Sequence, residues 1–222
     1  MNYYGNINEK TLELNIMSEI LNICRRHDPR AFILGTTLQQ EKRLGYDSRI
    51  LSRLLPSWKT AMFQFKKAKY KTYDGGYTFI INNNRYNDQH LILYSAAGGR
   101  KRVAFYVLPA FLTLNEFGTA SPNHLRYTFF ADVSDISPYR INHQQHTITV
   151  YPTSRIGVVR SEEETRIKLL TIEQLEIAVK EKEIAIPIKE LLENIGSMKI
   201  QEWGIKCKKP RILFLILPTF QY

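Results

Sequence analysis

Residues Lys59 to Lys67 alternate strictly, and this alternation constrains the chain more than any other feature. Ala61, Phe63 and Phe65 project to one side of an extended segment, and Met62, Gln64 and Lys66 to the other. Phenylalanines every second residue need a covering layer, while an amide and an ammonium side by side suit a ligand-facing surface better than a core. Other extended runs surround this strand. Gly45 to Leu55 reads as a turn leading into a strand that breaks at Leu55-Pro56-Ser57, and the short run Ala31–Leu34 stops at Gly35. Asp74-Gly75-Gly76 is a turn signal before Tyr77–Ile81, and strands are expected at Arg102–Leu108, Tyr127–Val133, Thr147–Tyr151 and Arg211–Leu217.

The covering layer comes from helical periodicity. From Glu9 to His27 the apolar stripe holds Leu12, Ile16, Met17, Ile20, Leu21, Ile23 and Cys24, and Asp28-Pro29 ends the helix. A second helix is expected from Asp88 through Leu91, Leu93 and Tyr94 to Gly98-Gly99. Later, a helical region from about Ser161 precedes a helix whose start is marked by Thr171 and Gln174, spaced as a capping box, and Pro187 opens a last one through Leu191 and Leu192. Helices interleaved with strands indicate an α/β or α+β fold, a sheet with helices packed on it. With 222 residues, no repeat and no linker-like tract, the chain is expected to form a single domain, 1–222.

Charge narrows the partners. The net charge is +10, and nine Lys and Arg residues between Lys42 and Lys71 are opposed only by Asp47. Such an excess favours a polyanion, and nucleic acid over a membrane surface, because the basic stretch is not an amphipathic helix. Lys42, Arg43, Lys67 and Lys69 are candidate phosphate contacts, Lys208, Lys209 and Arg211 a second cluster. Tyr70, Tyr73 and Tyr77 interleave with lysines as base-stacking residues would, although tyrosine on a half-buried strand has an ordinary packing explanation. Two cysteines exclude a disulfide framework, and neither a signal sequence nor a membrane-length apolar run is legible, so a cytoplasmic location is expected. His143 and His146 lie in an extended region without further ligands, which argues against zinc. Asp132 and Asp135 read as turn or surface residues, and Gln89-His90 as packing or a DNA-backbone contact.

The chemistry-bearing residues are acids, an amide and a lysine. Glu13 falls within the apolar stripe of the first helix, where a carboxylate needs either a buried partner or a cation. Asp47 sits at the turn entering a strand, and Gln64 and Lys66 share a strand face. Phosphodiester hydrolysis needs a hard cation held by oxygen ligands and a nearby positive charge. The motif Asp47…Gln64-Phe65-Lys66, with Glu13 on the first helix, resembles the PD-(D/E)xK nuclease superfamily in its QxK variant, and the stretch Gln39–Asp47 looks most like nucleases of bacterial anti-phage defence and restriction systems. The resemblance covers about the first hundred residues. It implies a restriction-endonuclease-like α/β core, a central mixed β-sheet flanked by helices, with the catalytic part at about 9–110. It also implies Mg²⁺ or Mn²⁺ bound by Glu13, Asp47 and Gln64, and Lys66 positioning the nucleophile for cleavage of DNA. Gln64 departs from the commoner Asp or Glu, so Glu41 is a candidate to restore the missing charge, though pairing with Lys42 or Arg43 in solvent is the stronger expectation for it. A nucleic-acid-binding module without catalysis, or a scaffold subunit, remains open, as do a separate sensor or activator protein and a homo-oligomer.

Overall fold

The computed structural model describes residues 5–54, 57–82, 89–138, 146–161, 163–181 and 183–201. The expected strand Arg211–Leu217, the cluster Lys208, Lys209 and Arg211, His143, Asp88 and the Leu55-Pro56 break lie outside the described residues. The chain opens with α1 (Glu9–His27), at the boundaries its periodicity predicts. Asn8 caps it by accepting the Thr11 N–H at 2.7 Å. Then come β1 (Phe32–Gly35), α2 (Leu38–Leu44), β2 (Ser48–Leu54), β3 (Ser57–Phe65), β4 (Tyr70–Lys71), β5 (Tyr77–Ile81), α3 (Gln89–Ala96), β6 (Ala104–Pro109) and α4 (Leu114–Ala120). The remainder is β7 (Thr128–Asp132), β8 (His146–Tyr151), β9 (Ile156–Arg160), β10 (Glu164–Lys168), α5 (Ile172–Lys180), β11 (Ile186–Pro187) and α6 (Ile188–Gln201).

Two sheets result. The first runs β1-β2-β3-β6-β7, with β11 also pairing with β3, and it is mixed: β3 and β6 are parallel, the other pairs antiparallel. The second is antiparallel, in the order β10-β9-β8-β5-β4. The chain is therefore an α/β protein with a mixed multi-stranded sheet flanked by helices. The helical region expected near Ser161 is instead β10, an edge strand in which Ile167 alone is buried. One apolar residue gives neither a helical nor a strand period, and the glutamates there are simply exposed.

The faces of the first sheet divide the interior. Phe63, Phe65, Phe105 and Val107 point to one side, where Leu12, Ile16 and Ile20 of α1 and Leu175 of α5 cover them. Met62, Tyr106 and Leu108 point to the other, where Leu93 and Ala96 of α3 meet Phe79, Ile148 and Val150 of the second sheet. The alternation of Lys59–Lys67 is thus realised as expected, with a helix under the phenylalanines.

Candidate active site

Asp47 stands one residue before β2. The pairing Ser48↔Phe63 places it opposite Gln64, and both side chains rise on the α3 side of the sheet. The Asp47 Oδ2 accepts from the Gln64 amide and from the Phe65 N–H, each at 2.7 Å. Burial pushes the Asp47 carboxyl up to about 7; nearby Glu41 and Glu9 add to this, and the Phe65 N–H and Lys66 only partly offset it. Gln64 is fully buried, and its Oε1 has no hydrogen-bond partner. Lys66 is also buried. Its ammonium donates to the Gln89 Oε1 at 2.5 Å, and burial lowers its pKa against the pull of Glu9, Asp47 and Glu41. The structure therefore brings Asp47, Gln64 and Lys66 together.

Glu13 does not join them. Ser48 and Phe63 face α1, so the Glu13 carboxylate, rising from α1, meets Ser48 Oγ beneath the sheet and takes its second partner from Lys10 at 2.8 Å. The helix-borne acid beside the cluster is Glu9, one turn earlier. Its Oε2 accepts the Lys67 N–H at 3.0 Å where β3 ends, and burial raises its pKa while Lys66 lowers it. Glu41, half-buried, accepts from the Gln89 Nε2 at 3.0 Å rather than pairing with Lys42 or Arg43. Gln89, at the start of α3, thus bridges Lys66 to Glu41. Lys42 and Arg43 are exposed on α2, Lys69 is exposed and Lys67 half-buried beside Glu9.

One glycine makes this bridge geometrically feasible. Gly45 ends α2 at φ 75°, and a Cβ there would lie 2.9 Å from both the Gln89 carbonyl oxygen and the Leu93 nitrogen. Only glycine lets α2 approach α3 this closely. Behind the cluster, Tyr106 donates its hydroxyl to His90 Nδ1 at 3.0 Å, because the other ring nitrogen must donate to the Ser137 carbonyl, also at 3.0 Å. Burial, then His146, lowers the His90 pKa to about 4, so this ring is neutral. His90 is accordingly a packing residue that fixes the start of α3. Asp132 holds the Arg102 and Ser134 N–H groups at 2.6 and 2.9 Å, a turn role as expected.

Among the described residues, no three His, Cys, Asp or Glu side chains sit closely enough to hold an ion between them. The chemistry of the donors nevertheless suits a hard cation. A buried amide oxygen lacks a donor, and Glu41 and Glu9 raise the proton affinity of Asp47. Mg²⁺ commonly takes only one or two protein oxygens and keeps its waters, so Asp47 and Gln64 would be direct ligands with Glu9 and Glu41 acting through water. No helix of the described residues is long and apolar enough to cross a membrane. Comparison with protein-family models, with curated protein sequences and with solved structures finds no match.

Proposed function

We propose that this chain is a divalent-metal-dependent nuclease that hydrolyses DNA phosphodiester bonds. The observation that carries the reading is the buried set Asp47–Gln64–Lys66, where an acid, an orphan amide oxygen and a desolvated ammonium share one sheet face. The mixed sheet between helical layers agrees with the core that the QxK resemblance implies, and that resemblance also suggests an effector of prokaryotic defence.

Mg²⁺ or Mn²⁺, when bound, would lower the pKa of a water and neutralise charge on the scissile phosphate. The protein's share is positional. Asp47 is fixed by two hydrogen bonds to one oxygen, which orients the carboxylate rigidly. Lys66, held by Gln89, presents a point charge that would stabilise the negative charge on the phosphoryl oxygens in the transition state and orient the attacking water. Glu41 and Glu9 supply the charge that Gln64 lacks. Purified protein with Mg²⁺ or Mn²⁺ should cut plasmid DNA, and Asp47→Ala or Lys66→Ala should each reduce the rate on the order of 10²-fold or more. Equal cutting by all three proteins removes the site.

A further inference from the structure

Lys66 is followed directly by an arm made of β4, a tight turn and β5. Among the described residues the arm is an edge: β4 ends the second sheet and pairs with β5, Tyr70 opposite Thr78 and Lys71 opposite Tyr77. Tyr77 is buried, with the Lys71 ammonium 5.0 Å from its ring centre, so it belongs to the core. Tyr70 and Tyr73 differ. Tyr70 is 52% exposed and Tyr73, at the tip, is completely exposed.

Lysines on an edge strand deter unwanted strand pairing, and that alone would explain Lys69 and Lys71. Exposed tyrosines on the same edge have the opposite tendency, so edge protection leaves them unexplained. The turn that carries Tyr73 is also rigid. Thr72 N–H donates to the Gly76 carbonyl at 2.7 Å, Gly76 N–H to Thr72 Oγ1 at 2.8 Å, and Tyr151 Oη to Asp74 Oδ2 at 3.0 Å. An aromatic ring held in solvent on a braced turn loses little conformational freedom when something stacks on it. Asp74, the acid nearest the tip, is engaged by Thr72 and Tyr151. Among the described residues no carboxylate side chain pairs with Lys67, Lys69 or Lys71. Lys67 also touches the site directly, through its N–H on Glu9.

We infer that this arm binds single-stranded DNA next to the site, with Tyr70 and Tyr73 stacking on unpaired bases and Lys67, Lys69 and Lys71 meeting the phosphates. The inference deepens the nuclease reading by naming its substrate as DNA with an unpaired stretch. A paired duplex offers no free base face to a tyrosine, whereas every unpaired base does. At most ~3.5 Å of chain per residue puts Tyr70 within about 14 Å of Lys66 along the backbone, close enough for one strand to span both.

The test is fluorescence polarisation in EDTA, so that it does not depend on cleavage. The probes are an oligo-dT of about twenty nucleotides, longer than the ~4–16 nucleotides of common single-strand sites, and a blunt duplex of equal length. Wild type should prefer oligo-dT. A Tyr70→Ala/Tyr73→Ala variant should lose about tenfold or more for oligo-dT and keep its duplex affinity. Lys69→Ala/Lys71→Ala should weaken both probes and flatten the salt dependence by about two counterions. Wild-type oligo-dT binding by the tyrosine variant, or equal loss on both probes, overturns the inference. Stacking without cleavage sinks the nuclease reading alone, and cleavage without stacking sinks this one alone.

Discussion

The two faces of the first sheet treat buried charge in opposite ways. On the α1 face each acid has a partner that satisfies it. Glu13 has Ser48 and Lys10, Asp28 has Ser52 and the Arg30 N–H, and Glu19 has His124. Around Asp47 on the α3 face three acids crowd together although each also accepts a hydrogen bond, Asp47 from Gln64 and the Phe65 N–H, Glu9 from the Lys67 N–H and Glu41 from Gln89. Glu41 and Glu9 raise the proton affinity of Asp47, and Glu41 that of Glu9, around one ammonium, and the Gln64 amide oxygen has no partner. Buried polar groups normally find partners inside the chain. On the α1 face the acids obey that rule, although His124 Nε2 there has no partner; on the α3 face the orphan is the Gln64 Oε1 beside the carboxylates, where an external ligand would complete it.

The comparison can be broken in four places, taken from the largest effect down. Gly45→Ala forces a side chain against the backbone of α3 at a positive φ and should cost about 2–5 kcal/mol in urea unfolding, the sum of left-handed strain and overpacking. It should also loosen the Gln89–Lys66 contact. A smaller cost would mean that α2 and α3 are not locked together.

Asp47→Asn tests the α3 face with the sign reversed. An acid whose folded pKa, about 7, exceeds its ordinary 3.8 carries an extra native-state proton. Its stabilising contribution is present below pH 3.8 and lost as pH rises to about 7. Without metal at pH 8, Asp47→Asn should therefore stabilise the protein by about 2–4 kcal/mol while abolishing cleavage. His90 works in the other direction. With its folded pKa near 4 against 6.5, its contribution is lost as pH falls through that window, so the variant's melting temperature should drop more steeply on acidification than wild type's.

Glu9→Gln should slow cleavage roughly tenfold and Glu13→Gln should leave the rate within about twofold, the difference expected if only one touches the cluster. Equal loss would place the two acids in one site. Finally, Ser52→Ala removes a donor from Asp28 on the α1 face and should cost about 1–2 kcal/mol of stability with no change in rate.

Much of this arrangement was legible in the residues. Strand alternation gave the face shared by Gln64 and Lys66, and periodicity placed α1 at about Glu9 to His27, where it is found. The choice between Glu9 and Glu13 was not legible. They are four apart, on one stripe, and a helical wheel reports angle but not position along the axis. Only the pairing of Ser48 with Phe63 decides which acid passes beneath the sheet and which reaches its end. Glu41 was misjudged because α2 went unrecognised, although Thr37, Gln40 and Gly45 carry its capping box and its stop. The capping box Thr113/Glu116 marks α4 in the same way. Gln89 had no sequence signal of its own, since its role depends on where α3 lands.

In the proposed nuclease the carboxylate cluster would also filter what the basic surface collects. Lysines along the arm and α2 would gather polyanions indiscriminately, yet a phosphate moving inward would next meet the carboxylates of Glu9, Glu41 and Asp47. Passage to Lys66 would then be favourable only in company with a positive counter-charge, so that cargo and cation would enter as a pair, each raising the other's affinity by the same factor.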